Sequence, residues 1–233
     1  VYGDYDADGT TAVALVYNFL RRRYTNLDYY IPDRYNEGYG VSYQGVDYAS
    51  ETGVKLVIVL DCGIKAIQEI RYAKEKGIDF IVCDHHVPDD ELPPAVAILN
   101  AKREDSTYPF KHLSGCGVGF KLMHAFALSN EIPFTELIPS LDLVAISTAS
   151  DIVPIMGENR VLTYYGLQQL NSNPSIGLRA IIQVCKLSDK VLTINDIVFK
   201  IGPRLNAAGR MSSGKKAVDL LVEQDYSKAL ELA

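Results

Sequence analysis

The chain has 233 residues, 48% of them hydrophobic and 22% charged, with a formal net charge of −6. That length fits one large domain or one and a half ordinary ones, and the apolar share supports a sizeable core, which excludes a disordered chain. The negative balance excludes a broadly basic nucleic-acid coat, while a local basic groove stays compatible with it once acids at a cation site are masked.

In chain order, a truncated apolar start runs into Gly3-Asp4-Tyr5-Asp6-Ala7-Asp8-Gly9. Thr10–Tyr24 is predicted helical, with Ala12, Leu15, Val16, Phe19 and Leu20 on one face and Arg21-Arg22-Arg23 at its end, where cations suit the helix dipole. Leu27–Ile31 reads as a second strand, and Val41–Thr52 as a helix closed by Gly53. Lys55–Leu60 and Asp79–Cys83 read as buried parallel strands, separated by a helix over Ile64–Lys76 with Gly77 as its C-cap. Ala95–Leu99 is a short further strand. This alternation predicts an α/β fold with a parallel, doubly wound sheet in residues 1–100. From Gly115 the pattern turns mostly helical, over Val118–Leu128, Phe134–Ser150, Arg160–Leu170, Ile176–Lys186 and Thr193–Lys200. Residues 101–233 are therefore expected to form a helical half packed on the sheet half. Starting at Val1 inside a strand and stopping at Ala233 inside a helical pattern, the sequence reads as part of a longer chain.

Chemistry concentrates after the predicted strands. Asp4, Asp6 and Asp8 stand at alternate positions; one acid would suffice to cap the next helix, whereas three repel one another and call for a cation. Asp61 follows the second buried run and reads alone as either an N-cap or a ligand. Asp84-His85-His86 follows the third, and adjacent histidines after a buried strand cannot both enter an apolar core. All lie at C-terminal strand ends, the edge where open α/β sheets bind ligands. A carboxylate–imidazole set without cysteine favours Mn²⁺ or Mg²⁺ over structural zinc, and two ions about 3.5–4 Å apart would serve phosphoryl hydrolysis. Asp151, an acid at the unfavourable end of a predicted helix, is a further ligand candidate.

Three Gly-punctuated segments carry possible phosphate contacts. Pro32–Gly40 holds Arg34, able to grip a phosphate bidentately, and Tyr39, able to stack on a base, or is an ordinary turn. Gly202–Arg210 reads as a loop offering Arg204, Asn206 and Arg210. Ser114–Gly119 opens a helix whose free N–H groups either cradle a phosphate or merely permit close packing. Cys62, Cys83, Cys116 and Cys185 form no C-x-x-C pair and read as reduced, buried residues of a cytoplasmic protein. No apolar run reaches the ~18 residues of a membrane span, and none reads as a signal peptide.

Taken together, GDYDADG, Asp61, Asp84-His85-His86 and Asp151 resemble the four motifs of the DHH phosphoesterases. PDRYNEGYG, SGCGVGFKL, SDIVPIMGENR and IGPRLNAAGRM are similar to those of the family's single-strand-specific 5′→3′ DNA exonucleases, in order from Val1 to about Ser213. The resemblance implies Asp6 and Asp61 on one divalent ion, and Asp8, Asp61, His85 and Asp151 on the other, with Asp61 bridging. It implies His86 on the scissile phosphate, Asp84 orienting the histidines, and Asp4 as a ligand or supporting base. Arg34 would hold a 5′-terminal phosphate, Tyr39 would stack beside it, and Arg210 would lie near the cleaved phosphate. Tyr2 stands where other branches place a histidine. The resemblance also implies a role in DNA repair and recombination, single-stranded DNA as substrate, a single-strand-binding protein or helicase as partner, and further substrate-binding and OB-type domains. Two other functions fit the same motifs: a DHH phosphoesterase acting on oligoribonucleotides, cyclic dinucleotides or pyrophosphate, and a non-catalytic DHH protein that binds nucleic acid.

Overall fold

The computed structural model describes residues 1–211 and 214–233, the side chains of 209–211 excepted. Its sheet has four parallel strands in the order β1 (Tyr2–Gly3), β2 (Leu56–Leu60), β3 (Asp79–Cys83) and β4 (Ala97–Leu99). Side chains alternate between its faces, as the pleat requires. Leu60 and Cys83 join one core, with Ile58, Ile81 and Leu99 packed against it, while Val57, Val59, Phe80 and Val82 join a second core on the other side. Both faces are covered, which explains the nearly continuous apolar runs LVIVL and DFIVC.

After β1 the chain forms α1 (Ala7–Leu20) and returns beside β1 on the side away from β2, pairing Tyr30 with Tyr2. The expected strand Leu27–Ile31 is thus reduced to one bridge. The pairing partner is itself only two residues long, so there is no ladder for a longer strand to join. From there the chain crosses through α2 (Tyr43–Glu51) to β2, on the opposite side of β1. That reversal opens a crevice beyond the C-terminal ends of β1 and β2, the position where such sheets bind ligands. Helices α2 and α3 (Ile67–Glu75) cover one face through Val46, Ala49, Ile70 and Ala73.

The other face is covered by α1, which is buried along nearly its whole length because α4 (Gly115–Ser129), α5 (Leu141–Ser150) and α10 (Gly214–Val222) surround it. One core therefore runs from α1 into the helical half. Two short 3₁₀ turns, Phe134–Glu136 and Ile138–Ser140, precede α5 where a single helix is expected; Pro139 has no N–H to continue a helix ladder there. The remaining helices are α6 (Gly157–Ser172), α7 (Ile176–Val184), α8 (Ile194–Asp196), α9 (Gly202–Met211) and α11 (Tyr226–Leu232).

Gly202–Arg210 is helix α9 and not the expected loop. A π-helical turn, Ile197–Ile201, links it to α8. Pro203 sits in the first turn of α9, where its missing N–H costs little. Gly202 serves close packing and not flexibility: a Cβ there would lie 2.5 Å from Ser150 Oγ on α5.

Candidate metal centre

Four chain segments bring their acids and imidazoles to the crevice. The first is the turn from β1 into α1. Asp6 caps α1, its Oδ1 accepting from Gly9 N at 2.9 Å. Asp4 and Asp8 are both buried. Gly9 fits because a Cβ there would collide with the Asp4 backbone, so this turn can close over three acids only with glycine at its end.

Asp8 faces the N-terminus of α4. Its Oδ2 accepts from Gly115 N at 2.7 Å, and its Oδ1 from Cys116 N at 2.8 Å and from Ser147 Oγ at 2.6 Å. The Ser114–Gly119 turn is thus no phosphate cradle; the N–H groups at its start are taken by a carboxylate of the chain itself. Its glycine has a steric reason as well, since a Cβ on Gly115 would lie 2.5 Å from Asp61 Oδ1.

Asp61 follows β2 with φ +61°, a left-handed backbone that costs a non-glycine residue energy. It is fully enclosed, and its Oδ1 has no hydrogen-bond partner. Burial, then the charges of Asp8, Asp6 and Asp4, push its carboxyl well above the usual range. Burial and Asp6 raise Asp4 to about 7, and burial and Asp8 raise Asp151 to about 7. Asp6 is raised for the same reasons. A cluster that resists its own ionisation is one that a cation would stabilise.

After β3, Asp84 works as a scaffold. Its Oδ2 accepts from Ile64 N at 2.9 Å; its Oδ1 accepts from His85 N at 2.7 Å and His86 N at 3.1 Å, and meets His86 Nδ1 at 2.7 Å. Burial alone would raise Asp84, but the His86 and backbone hydrogen bonds outweigh it and hold the carboxyl below its ordinary value. His86 is raised in return by that bond. His85 is buried, which lowers its pKa. Its Nε2 lies 3.1 Å from Asp61 Oδ1 and 3.7 Å from both Asp8 Oδ2 and Asp151 Oδ2, yet neither ring nitrogen has a hydrogen-bond partner.

Asp151 arrives from the end of α5, one turn after Ser147, which explains why the two share a face. Three overlapping sets bring ligand atoms within 4.8 Å of one another: Asp4, Asp6 and Asp61; Asp8, His85 and Asp151; and Asp61, His85 and His86. Orphaned Asp4 Oδ1, Asp61 Oδ1 and both His85 nitrogens are the atoms a cation would satisfy, so the donor set fits hard divalent ions.

The remaining candidates lie around this cluster. Arg34 is exposed, its guanidinium 5.5 Å from the centre of the Tyr5 ring. Tyr39 turns its hydroxyl inward, 3.3 Å from Asp61 O and 3.5 Å from His86 Nε2. Glu37 braces their loop by accepting from Asp33 N, the Tyr30 hydroxyl and Ser42 Oγ. Tyr2 faces away from the carboxylates and holds the same loop through Gly40 O and Ser42 N. Asn206 accepts from Ala7 N at 2.7 Å and so ties α9 to the acidic turn. Arg204 is exposed beside the Cys185 thiol, and the Arg210 side chain lies outside the described residues.

The sequence marked Ser114 only as the start of a Gly-rich turn and gave Ser147 and Asn100 no role. Ser147 could have been found from its four-residue spacing to Asp151. Asn100, whose Nδ2 donates to His86 O at 2.8 Å, carries no signal beyond following a strand.

The motif set and its geometry agree with the family comparison: residues 1–148 match the DHH family, N-terminal domain. The chain belongs to the DHH family. Over its whole length it is 43% identical to the single-stranded-DNA-specific exonuclease RecJ of Bacillus subtilis and 38% identical to that of Escherichia coli, spanning 29% and 42% of those proteins. Among solved structures, exonuclease RecJ bound to manganese matches all of this DHH chain with a TM-score of 0.89 at 34% identity, over 58% of its own length. RecJ of Thermus thermophilus in complex with Mn²⁺ matches with a TM-score of 0.84 at 31% identity, over 33% of its length. Among the described residues, no helix is long and apolar enough to cross a membrane.

Proposed function

We propose that this chain is the catalytic core of a RecJ-like, metal-dependent exonuclease that hydrolyses single-stranded DNA from a 5′-phosphorylated end. The observation that carries this reading is Asp61: enclosed, held in a left-handed backbone, with an unpartnered oxygen between two sets of ligands. Asp6 and Asp61 would hold one ion, with Asp4 beside them, and Asp8, Asp61, His85 and Asp151 the other. Mn²⁺ or Mg²⁺ there would supply positive charge to the phosphate oxygens and acidify a water molecule.

The protein's own groups do the rest. Asp84 holds His86 through Nδ1, which leaves Nε2 to donate to a non-bridging oxygen of the scissile phosphate as charge develops there. The backbone N–H groups of α4 and the Ser147 hydroxyl fix Asp8, so that one ligand is placed before any ion arrives. Arg34, exposed at the rim with its guanidinium against the Tyr5 ring, is suited to a bidentate grip on a terminal phosphate. Tyr39, with its hydroxyl at His86, offers its ring to the adjoining base. Arg204, Asn206 and Arg210 extend this reading through the motif alone; Asn206 already holds the acidic turn, and Arg204 would have to swing from Cys185 to reach a strand. A cytoplasmic setting and a single-strand-binding protein or helicase as partner belong to the same proposal.

The test is hydrolysis of a 3′-labelled, 5′-phosphorylated single strand with Mn²⁺, beside its duplex, a dinucleotide and a cyclic dinucleotide. Stepwise shortening of the single strand, abolished by EDTA, is expected. Preferential cleavage of the dinucleotides would favour the other DHH phosphoesterases, and binding without hydrolysis a non-catalytic role.

A further inference from the structure

Four strand positions separate the Arg34 loop from the other end of the sheet edge, roughly 19 Å at ~4.8 Å per strand. Arg34 follows the Tyr30 bridge outside β1, the metal ligands follow β1, β2 and β3, and Asn100–Lys102 follows β4. Asn100 is buried and links the far end of that row to the centre. Its Nδ2 donates to His86 O, while its Oδ1 accepts from Lys102 N at 2.8 Å. Lys102 is therefore held in register with the histidine assigned to the scissile phosphate. Among the described residues it has no salt-bridge partner, and its charge is one of those felt at both His85 and Asp151. The groove of about 680 Å³ beyond it is lined by four carboxylates, Asp89, Asp90, Glu104 and Asp105, the last paired with Arg103, so Lys102 at its edge is the cation left to meet a phosphate.

We propose that Lys102 binds the phosphate immediately 3′ of the scissile one. This rests on the nuclease reading above. A cation at each end of the row would fix the polarity of the strand: a bidentate arginine for the terminal phosphate at one end, and at the other a lysine, whose flexible point charge suits a monoanionic diester that must slide onward after each cut. Asn100 acts through Lys102 and His86 as a positioning residue.

The experiment is binding and turnover of 5′-phosphorylated single strands by the wild type, Lys102→Met and Lys102→Arg. Binding is read with Ca²⁺ in place of Mn²⁺, over a range of salt. In Lys102→Met, a five- to tenfold weaker Kd is expected, a salt slope smaller by ~0.7 for one lost phosphate contact, and a larger effect on KM than on kcat. Lys102→Arg should keep most of the affinity. A neutral methylphosphonate at the linkage 3′ of the scissile one should weaken the wild type by a similar factor and leave Lys102→Met unaffected, which a merely structural lysine would not produce. Equal losses in both proteins, or an unchanged Kd and salt slope in Lys102→Met, would overturn the proposal. A wild type that neither binds nor cuts single strands would overturn the nuclease reading itself.

Discussion

Two buried carboxylates at opposite ends of the α1 layer show what separates a site from a structural acid. Asp142, in the first turn of α5, is fully enclosed and raised by burial to about 6. Its oxygens accept from Leu143 N and Ser175 N, at 2.7 and 2.8 Å, so it joins two helix starts and asks for nothing more. Asp61 is as deeply buried but feels the charges of four other acids, Asp8, Asp6, Asp4 and Asp84, with Oδ1 unpartnered and a backbone at φ +61°. Burial and a raised pKa are common to both. The orphaned oxygen and the converging like charges belong to the strand-end cluster alone of the two, and they are the features that call for a cation. Asp8 combines the two cases: three protein donors hold it, yet it lies 3.7 Å from His85 Nε2.

The comparison breaks most sharply at Asp61. Asp61→Asn should lower hydrolysis at least ~10³-fold, because in the proposed centre both ions would share that carboxylate, while the metal-free protein keeps or gains thermal stability as repulsion is relieved. Near-normal turnover in a folded Asp61→Asn protein would remove the bridging role. Arg34→Ala should cost less, narrowing the preference for 5′-phosphorylated over 5′-hydroxyl strands; an unchanged ratio of rates would make Arg34 an ordinary loop residue.

Asp8→Ala should destabilise the fold as well as the centre. It would strand the Gly115 and Cys116 N–H groups, at about 2–4 kcal/mol in denaturant melts without metal. A loss below ~0.5 kcal/mol would mean that α4 does not depend on that carboxylate.

pH sharpens the contrast. Asp4 and Asp151 titrate near 7 when folded, against 3.8 unfolded. The folded state thus retains protons that the unfolded chain has released, so stability without metal should fall as pH rises from about 4 to about 7. Mn²⁺ binds the deprotonated groups, and its stabilising effect should grow over the same interval. Melting temperatures in EDTA that rise across this range would contradict the cluster's electrostatics. Asp142 follows the same sign over about 4 to 6, and it should do so with or without Mn²⁺. Asp142→Asn is the smallest perturbation: slight loss of that pH dependence and activity within about twofold of wild type.

Much of this was legible from the residues. Asp4, Asp6, Asp8, Asp61, Asp84, His85 and His86 follow apolar strands, and strand ends in a parallel sheet share an edge, so their meeting needed no coordinates. Asp151 was marked by an acid at the wrong end of a helix. What stayed hidden depends on long-range packing. The Gly115 and Cys116 N–H groups are taken by Asp8, from over a hundred positions earlier, and no local pattern says so. Gly202-Pro203 reads locally as a break, whereas it opens a helix whose glycine leaves room for Ser150 on the neighbouring α5. Leu27–Ile31 has strand composition but only a two-residue partner.

The central claim is that the strand-end carboxylates form a divalent-metal centre joined through Asp61. Calorimetric titration of Mn²⁺ into the metal-free protein tests it most directly. Two ions per wild-type chain are expected, at most one in Asp61→Asn, and two in Asp142→Asn. Identical Mn²⁺ binding by wild type and Asp61→Asn, or no binding by either, would contradict it.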